Sequence, residues 1–593
     1  MKPMKKMSFL VSLLLCAALL LSACTSQAGG TETGTETGSD TADAAESGEE
    51  SGSESGADTE DDDVINRNPD MVYSYTEEQY ETLCQKIGQL TEMLSAGDRQ
   101  EEFLTLYKDV EENDFEAMQD QYQIANVGSM VRTDSETAAA LLEDISEKYN
   151  KVLQQLIEMY DDIDASPYAE AFFEGWTEEE RAQAVASARS YTDELTDLKV
   201  ASDKLMAEYR SLAYDDTFLQ KSAEIYMRAV EQNKRIAQIS GYDDYMEYAY
   251  ELMYNRDYLP SDTAAMRTMV KEYLAPMLPT LLNKLQDAAA TLTKADQADV
   301  NRILQTDVTG LGVVEGLGTT VQSVTDVLDA YFDSVSGDMK QTYYDMWNNN
   351  HYILTFNAEK SHVGAFSVYF YKLAYPMFYF GSGYQDLYTV VHEFGHCYAM
   401  EKSASMDIPL DLAEVNSQGN EWLFTSFLRD NVTSKAYTYL VTYRLLSDIA
   451  SICNCVAVND FEMYVYSHSD YTAETLDSVM EQVLRDLGID QIFSQLYESP
   501  TSYWHYVTID NPGYYISYAM SLLPSLELYA MSLDNYDGAA AAYLQLATVG
   551  KHDTFLGSLR KAGIGTPFDE QTYRDIAGIP SKLSQLLSAS KAA

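Results

Sequence analysis

The chain is short of positive charge: its 593 residues hold 39 Lys and Arg against 94 Asp and Glu, a formal net charge of −55. A surface of that sign argues against nucleic-acid binding and against direct adsorption to anionic lipid. Cysteine is scarce too, at six. Cys16 and Cys24 fall at the N-terminus. Cys84, Cys397, Cys453 and Cys455 are too few for a disulfide framework in so long a chain, and the C-x-C spacing of the last two is not a usual zinc pair. Buried free thiols are expected. Beyond the N-terminus no run reaches about 18 consecutive apolar residues, so no membrane-spanning helix is expected. Histidine numbers only seven, which gives weight to any two placed at a meaningful spacing.

What is present starts with a leader. Lys2, Lys5 and Lys6 precede a short apolar run, Phe9 to Leu21, followed by Leu21-Ser22-Ala23-Cys24. The run is too short for a comfortable membrane span and has the form of an export signal. Its last four residues resemble the lipobox of bacterial lipoproteins. That resemblance implies removal of 1–23, lipidation of Cys24 and an extracytoplasmic protein anchored to the bacterial cell membrane by lipid alone. Residues 24–65 hold 13 acids, no Lys or Arg and almost nothing apolar, the composition of a disordered tether. The three lysines and thirteen acids of these segments leave −45 on the remainder, so the acidity belongs to the folded part.

That part is expected to be mainly helical. Thr76-Glu77-Glu78-Gln79 is a capping-box pattern, and Tyr80, Leu83, Ile87, Leu90 and Leu94 follow at helical spacing. The stretch from Asp134 to Tyr160 repeats the pattern. Pro260-Ser261-Asp262 reads as a turn and helix start. Gly310-Leu311-Gly312 to Gly316-Leu317-Gly318 lacks the dinucleotide-binding pattern and its strand-turn-helix context, and reads as a mobile connection. Tyr352 to Phe380 is rich in Tyr, Phe and Val and predicts strands. The expected division is a helical region at 66–345 and a catalytic region at 346–593.

The chemistry centres on His392-Glu393-Phe394-Gly395-His396. Residues four apart share a helix face, so both imidazoles can address one metal ion. Zinc takes neutral imidazole and carboxylate tetrahedrally, and catalytic sites use three protein ligands with one open position. Glu393 would lie beside the metal, placed to move protons between the attacking water and the leaving amine. Asp411, Glu414 and Glu421 on a second predicted helix are the candidates for third ligand. Glu414 and Glu421 share a face, and spacing alone does not say which ligates and which orients a histidine.

His392-Glu393-Phe394-Gly395-His396 with Leu412-Ala413-Glu414-Val415 resembles the thimet oligopeptidase and oligoendopeptidase F family of zinc peptidases. Gly364-Ala365-Phe366-Ser367, Pro376 and Asp386-Leu387-Tyr388-Thr389 extend the likeness. Ser361 and His362, with Lys360 one step earlier, stand where a basic residue is usual shortly before the Gly-Ala segment. The resemblance implies Glu414 as the third ligand of one Zn2+ per chain and Glu421 as the residue seven beyond it that orients a ligand. It implies transition-state contacts from His505, Tyr514 and Tyr518 in the segment Trp504-His505-Tyr506 to Pro512-Gly513-Tyr514-Tyr515-Ile516-Ser517-Tyr518, with Tyr515 a further candidate. It also implies a mainly α, two-lobed body around a deep channel, with a small β-sheet next to the motif helix.

The function expected is that of a monomeric zinc metalloendopeptidase, cutting short unfolded oligopeptides by attack of a zinc-bound water. Two alternatives stand beside it: a zinc carboxypeptidase or dipeptidase on a related helical scaffold, and a non-catalytic peptide-binding lipoprotein. Intact His392, Glu393, His396 and Glu414 weigh against the last, because a pure binder has no use for Glu393.

Overall fold

Local signals become helices where the sequence places them. Thr76 caps the helix Glu77–Ala96 through a capping box with Gln79, and Leu83, Ile87, Leu90 and Leu94 form its buried stripe. Ser135 caps Glu136–Asp164, whose buried face runs from Ile145 to Ile163. Pro260–Asp262 forms a 3₁₀ turn that leads into a helix at Thr263. The architecture is mainly helical with one small sheet. The structure is a computed structural model that describes residues 63–590 apart from 191–192, 214–216, 305–320, 384–385, 407, 498, 510 and 550–552. The leader, Cys24, the tether up to 62 and the Gly310–Gly318 stretch lie outside the described residues.

Four strands form the sheet: β1 (Val64–Asn66), β2 (Tyr352–Thr355), β3 (Ala365–Phe370) and β4 (Tyr375–Phe380). Their order is β1-β2-β4-β3, with β2 and β4 parallel and the outer pairs antiparallel. The last three lie within the predicted stretch. The first corrects the expected tether boundary at 65, because Val64 to Asn66 pair with Thr355 to Ile353. Three residues give no periodicity to read, and the pairing that makes them a strand comes from far along the chain.

The sheet is covered on both faces. Phe366, Val368 and Phe370 of β3 point to one side, with Ile124 and Val127 of the helix Glu116–Val131. Alternation turns Ala365, Ser367 and Tyr369 to the other side, where the motif helix Leu387–Ser403 packs. β3 is an outer strand, so one of its edges is unpaired within the sheet. The core does not break at 345: one apolar cluster runs from Leu195 to Leu583, and a separate cluster joins the helices between Leu83 and Ala188. Helix Ser434–Ser467 is long and apolar enough by composition to cross a bilayer, yet 72% of its most apolar window is buried inside the protein. Cys84, Cys397, Cys453 and Cys455 are free thiols.

Candidate metal centre

Two helices bring the site together. Asp386 caps the motif helix, its carboxylate accepting the backbone N–H of Tyr388 and Thr389 at 3.0 and 3.2 Å. The partner helix, Leu410–Phe427, packs directly across it. Gly395 permits that approach. A β-carbon there would meet the Asn416 carbonyl oxygen at 2.4 Å and Ser417 Cα at 2.7 Å, contacts that only a shift of one helix would relieve. Asn420 fastens the pair, its Nδ2 donating to the Val391 carbonyl at 2.6 Å. Tyr331 donates in turn to the Asn420 carbonyl at 2.8 Å.

This crossing sets Glu414 opposite both histidines. Its Oε2 lies 3.8 Å from His392 Nε2 and 3.9 Å from His396 Nε2. One donor atom from each of the three residues falls within 4.8 Å of the others. His396 Nε2 is buried and makes no hydrogen bond, a costly state for a polar atom unless an ion occupies it. Two imidazoles and a carboxylate match the donor set of a catalytic zinc site, so the residues present fit a single divalent ion. Burial, with His392 beside it, pushes His396 well below its ordinary pKa. It is therefore neutral, the form that binds metal.

The candidate ligands are held from behind. His392 Nδ1 sits 2.5 Å from Glu421 Oε1, which turns Nε2 toward Glu414. Glu421 Oε2 accepts a hydrogen bond from Arg444 Nη2 at 2.6 Å. The Arg444 guanidinium lies 4.3 Å over the Tyr388 ring and 5.2 Å from that of Trp422. In the protein without metal, burial works against charge on His392, but the Glu421 hydrogen bond and the negative charges of Glu421, Glu393 and Glu414 together outweigh it and raise the imidazole to about 9. Glu393 stands outside the ligand triplet. It is 2% exposed, and burial raises it to about 7. The Ser367 hydroxyl donates to its Oε2 at 2.7 Å. Ser367 thus links β3 to the carboxylate that follows the first histidine.

The structure separates the three acids of the partner helix. Glu414 meets the histidines, Glu421 takes His392 Nδ1, and Asp411 turns away to Tyr258, whose hydroxyl donates to it at 2.7 Å. Tyr514 and Tyr518 are buried neighbours, with ring centroids 5.6 Å apart. The Tyr515 hydroxyl bonds that of Tyr503. His505 is placed differently from the expectation. Its Nδ1 lies 2.7 Å from Ser222 Oγ and its Nε2 3.2 Å from Asp477 Oδ1. Both nitrogens are engaged within the fold, and the ring stacks on Trp504, so in this arrangement it offers no donor to a developing oxyanion.

Sequence reasoning gave no role to Ser367, Arg444, Asn420 or Arg256. Arg444 carried a readable signal: it is a lone arginine deep inside an apolar 34-residue helix, where a cation requires a partner. Ser367 was readable as the one aliphatic hydroxyl among the aromatic and apolar residues of β3.

No family model matches the sequence, and no curated protein matches it. Solved structures do match in fold. "PZ peptidase A with inhibitor 2" superposes with a TM-score of 0.67 at 16% identity, over 88% of this chain and 99% of that one. A Bacillus anthracis protein assigned as an oligoendopeptidase F superposes at 0.65 and 17% identity, over 86% and 97%. A Pyrococcus furiosus carboxypeptidase superposes at 0.50 and 14% identity, over 86% and 99%. The chain therefore shares the mainly helical fold of these peptidases along nearly their whole length.

Proposed function

We propose that this protein is a zinc-dependent metalloendopeptidase that hydrolyses short unfolded oligopeptides. One observation carries the reading: a His392–His396–Glu414 triplet, half-buried at His392 and buried at the other two, with buried Glu393 beside it and outside it. Two imidazoles and a carboxylate are the protein share of a catalytic zinc site and leave a coordination position for water or substrate. The bound ion would supply Lewis acidity, polarising the scissile carbonyl and activating a water.

The protein's own groups would do the rest. Glu393 takes the proton of the attacking water and passes it to the leaving amine. Its burial favours that exchange, because a carboxylate drawn up toward neutrality both accepts and releases a proton. Ser367 fixes the carboxylate by hydrogen bonding to one oxygen. The outer strand β3 offers an edge along which an extended peptide can add as a strand. Tyr514 and Tyr518 are the donors proposed for the oxyanion. Substrate would enter a deep channel between two lobes, which admits peptides and excludes folded proteins. The N-terminal features extend the proposal to a monomer tethered outside the cell through lipidated Cys24.

A carboxypeptidase reading has one observation in its favour, the fold match to the Pyrococcus carboxypeptidase. Peptides blocked at both ends separate the two. The endopeptidase reading expects internal cuts in blocked peptides, mapped by mass spectrometry. Cleavage confined to peptides with a free C-terminal carboxylate would favour the carboxypeptidase.

A further inference from the structure

Arg256 is a buried cation that the reaction as outlined does not use. Its side chain is 1% exposed. Neither Nε nor Nη1 has a hydrogen-bond partner. The charge is balanced instead by Asp411, whose Oδ2 lies 3.8 Å from Nε. Aromatic faces complete the surroundings, with Tyr250, Tyr254 and Tyr258 at 4.2, 4.6 and 5.7 Å from the guanidinium carbon. An apolar side chain would fill this space without the cost of desolvating a charge. The arginine therefore has to be understood by what it connects.

It connects the partner helix to the tyrosine segment. On one side is Asp411, three residues before Glu414 and so on the same face of the partner helix. On the other is the tyrosine segment. Nη2 donates to Ser517 Oγ at 2.7 Å and reaches the Tyr514 carbonyl at 3.5 Å. Ser517 immediately precedes Tyr518. The rings around the arginine reinforce both attachments. Tyr258 donates to Asp411 at 2.7 Å, and Tyr254 donates to the Pro512 carbonyl at 2.9 Å. The backbone presents the group deliberately: a π-helical turn, Ala249–Met253, ends just before Asn255, which adopts the left-handed conformation at φ 47°.

We propose that Arg256 is a positioning residue that locks the Tyr514–Tyr518 segment to the helix carrying Glu414. The tyrosine hydroxyls then stand in fixed register with the metal ligands. The inference rests on the peptidase reading and adds to it the reason the tyrosines can act. Its use is geometric, because a displacement of about 1 Å in a transition-state donor costs on the order of 100-fold in rate.

The test compares wild type with Arg256→Met, Arg256→Lys and Ser517→Ala, each loaded with zinc. Metal content, kcat and KM on a quenched peptide, and affinity for a phosphinic peptide by calorimetry are measured. Arg256→Met is expected to keep its metal, hold KM within about threefold and lose about 100-fold in kcat. Phosphinic-peptide affinity should fall in parallel, because that ligand mimics the tetrahedral transition state. Arg256→Lys keeps the charge without the planar fork and should recover part of the loss. Ser517→Ala removes the hydroxyl that meets both Arg256 and Asp411 and should lower kcat about fivefold.

A kcat within threefold of wild type in metal-loaded Arg256→Met overturns the inference, as does a loss carried by KM or by loss of metal. If Arg256→Met does not fold, Arg256→Lys and Ser517→Ala decide: unchanged kcat and unchanged phosphinic-peptide affinity in both overturn it. A zinc-loaded wild type that cuts no peptide defeats the peptidase reading itself, which is seen before any variant is compared.

Discussion

Replacing Glu393 with glutamine is expected to abolish peptide cleavage while leaving the metal bound. The change is close to isosteric, so a side chain 2% exposed is not forced to repack. The ligand triplet of His392, His396 and Glu414 is untouched. What disappears is the group that can take a proton and return it. Removing a positioned general acid–base typically costs 10²–10⁴-fold, and a residue used in both directions belongs at the upper end. Quenched-peptide kinetics with metal analysis on the same sample read the two effects separately. A variant with wild-type metal content and cleavage within tenfold of wild type would remove Glu393 from the mechanism.

Glu414→Ala is expected to lose both metal and activity, whereas Asp411→Asn is expected to keep the metal. Both acids are buried on one helix, and their surroundings differ. Glu414 is about equally far from the two histidine Nε2 atoms. Asp411 is committed to Tyr258 and Arg256. Loss of Glu421, which only orients His392, should weaken metal binding by roughly 10–100-fold. Loss of Glu414 should exceed that, because a ligand itself goes. Dissociation constants for zinc measured by competition with a chelating dye give the order. Tighter binding in Glu414→Ala than in Asp411→Asn would assign the ligands the other way.

The two histidines and Glu393 were legible in sequence because one helical turn places them. The third ligand was not legible from spacing. Asp411, Glu414 and Glu421 recur at intervals that suit one face of a helix, so the local pattern treats them alike. They are told apart by groups that arrive from distant segments. Arg256 and Tyr258 claim Asp411, while Arg444 claims Glu421. The resemblance to the oligopeptidase family pointed to Glu414, and the helix crossing sets that residue opposite both histidines. His505 shows the opposite case. It has a family-like place in sequence, but Ser222, 283 residues earlier in the chain, and Asp477 engage its ring. Gly395 had no role assigned from the sequence and is the contact point of the two site helices. The strands between Tyr352 and Phe380 were readable from composition, whereas β1 exists only through its pairing with β2.

In the proposed function one ion, held by His392, His396 and Glu414, makes this chain a peptidase. Stripping the full chain of metal and restoring zinc stepwise tests it, with cleavage of one peptide, end-blocked and with free ends, followed at each step. The account predicts no cleavage without metal, a linear rise, and a plateau at one zinc per chain. Cleavage that survives complete metal removal, or a fully loaded protein that cuts nothing, would contradict it.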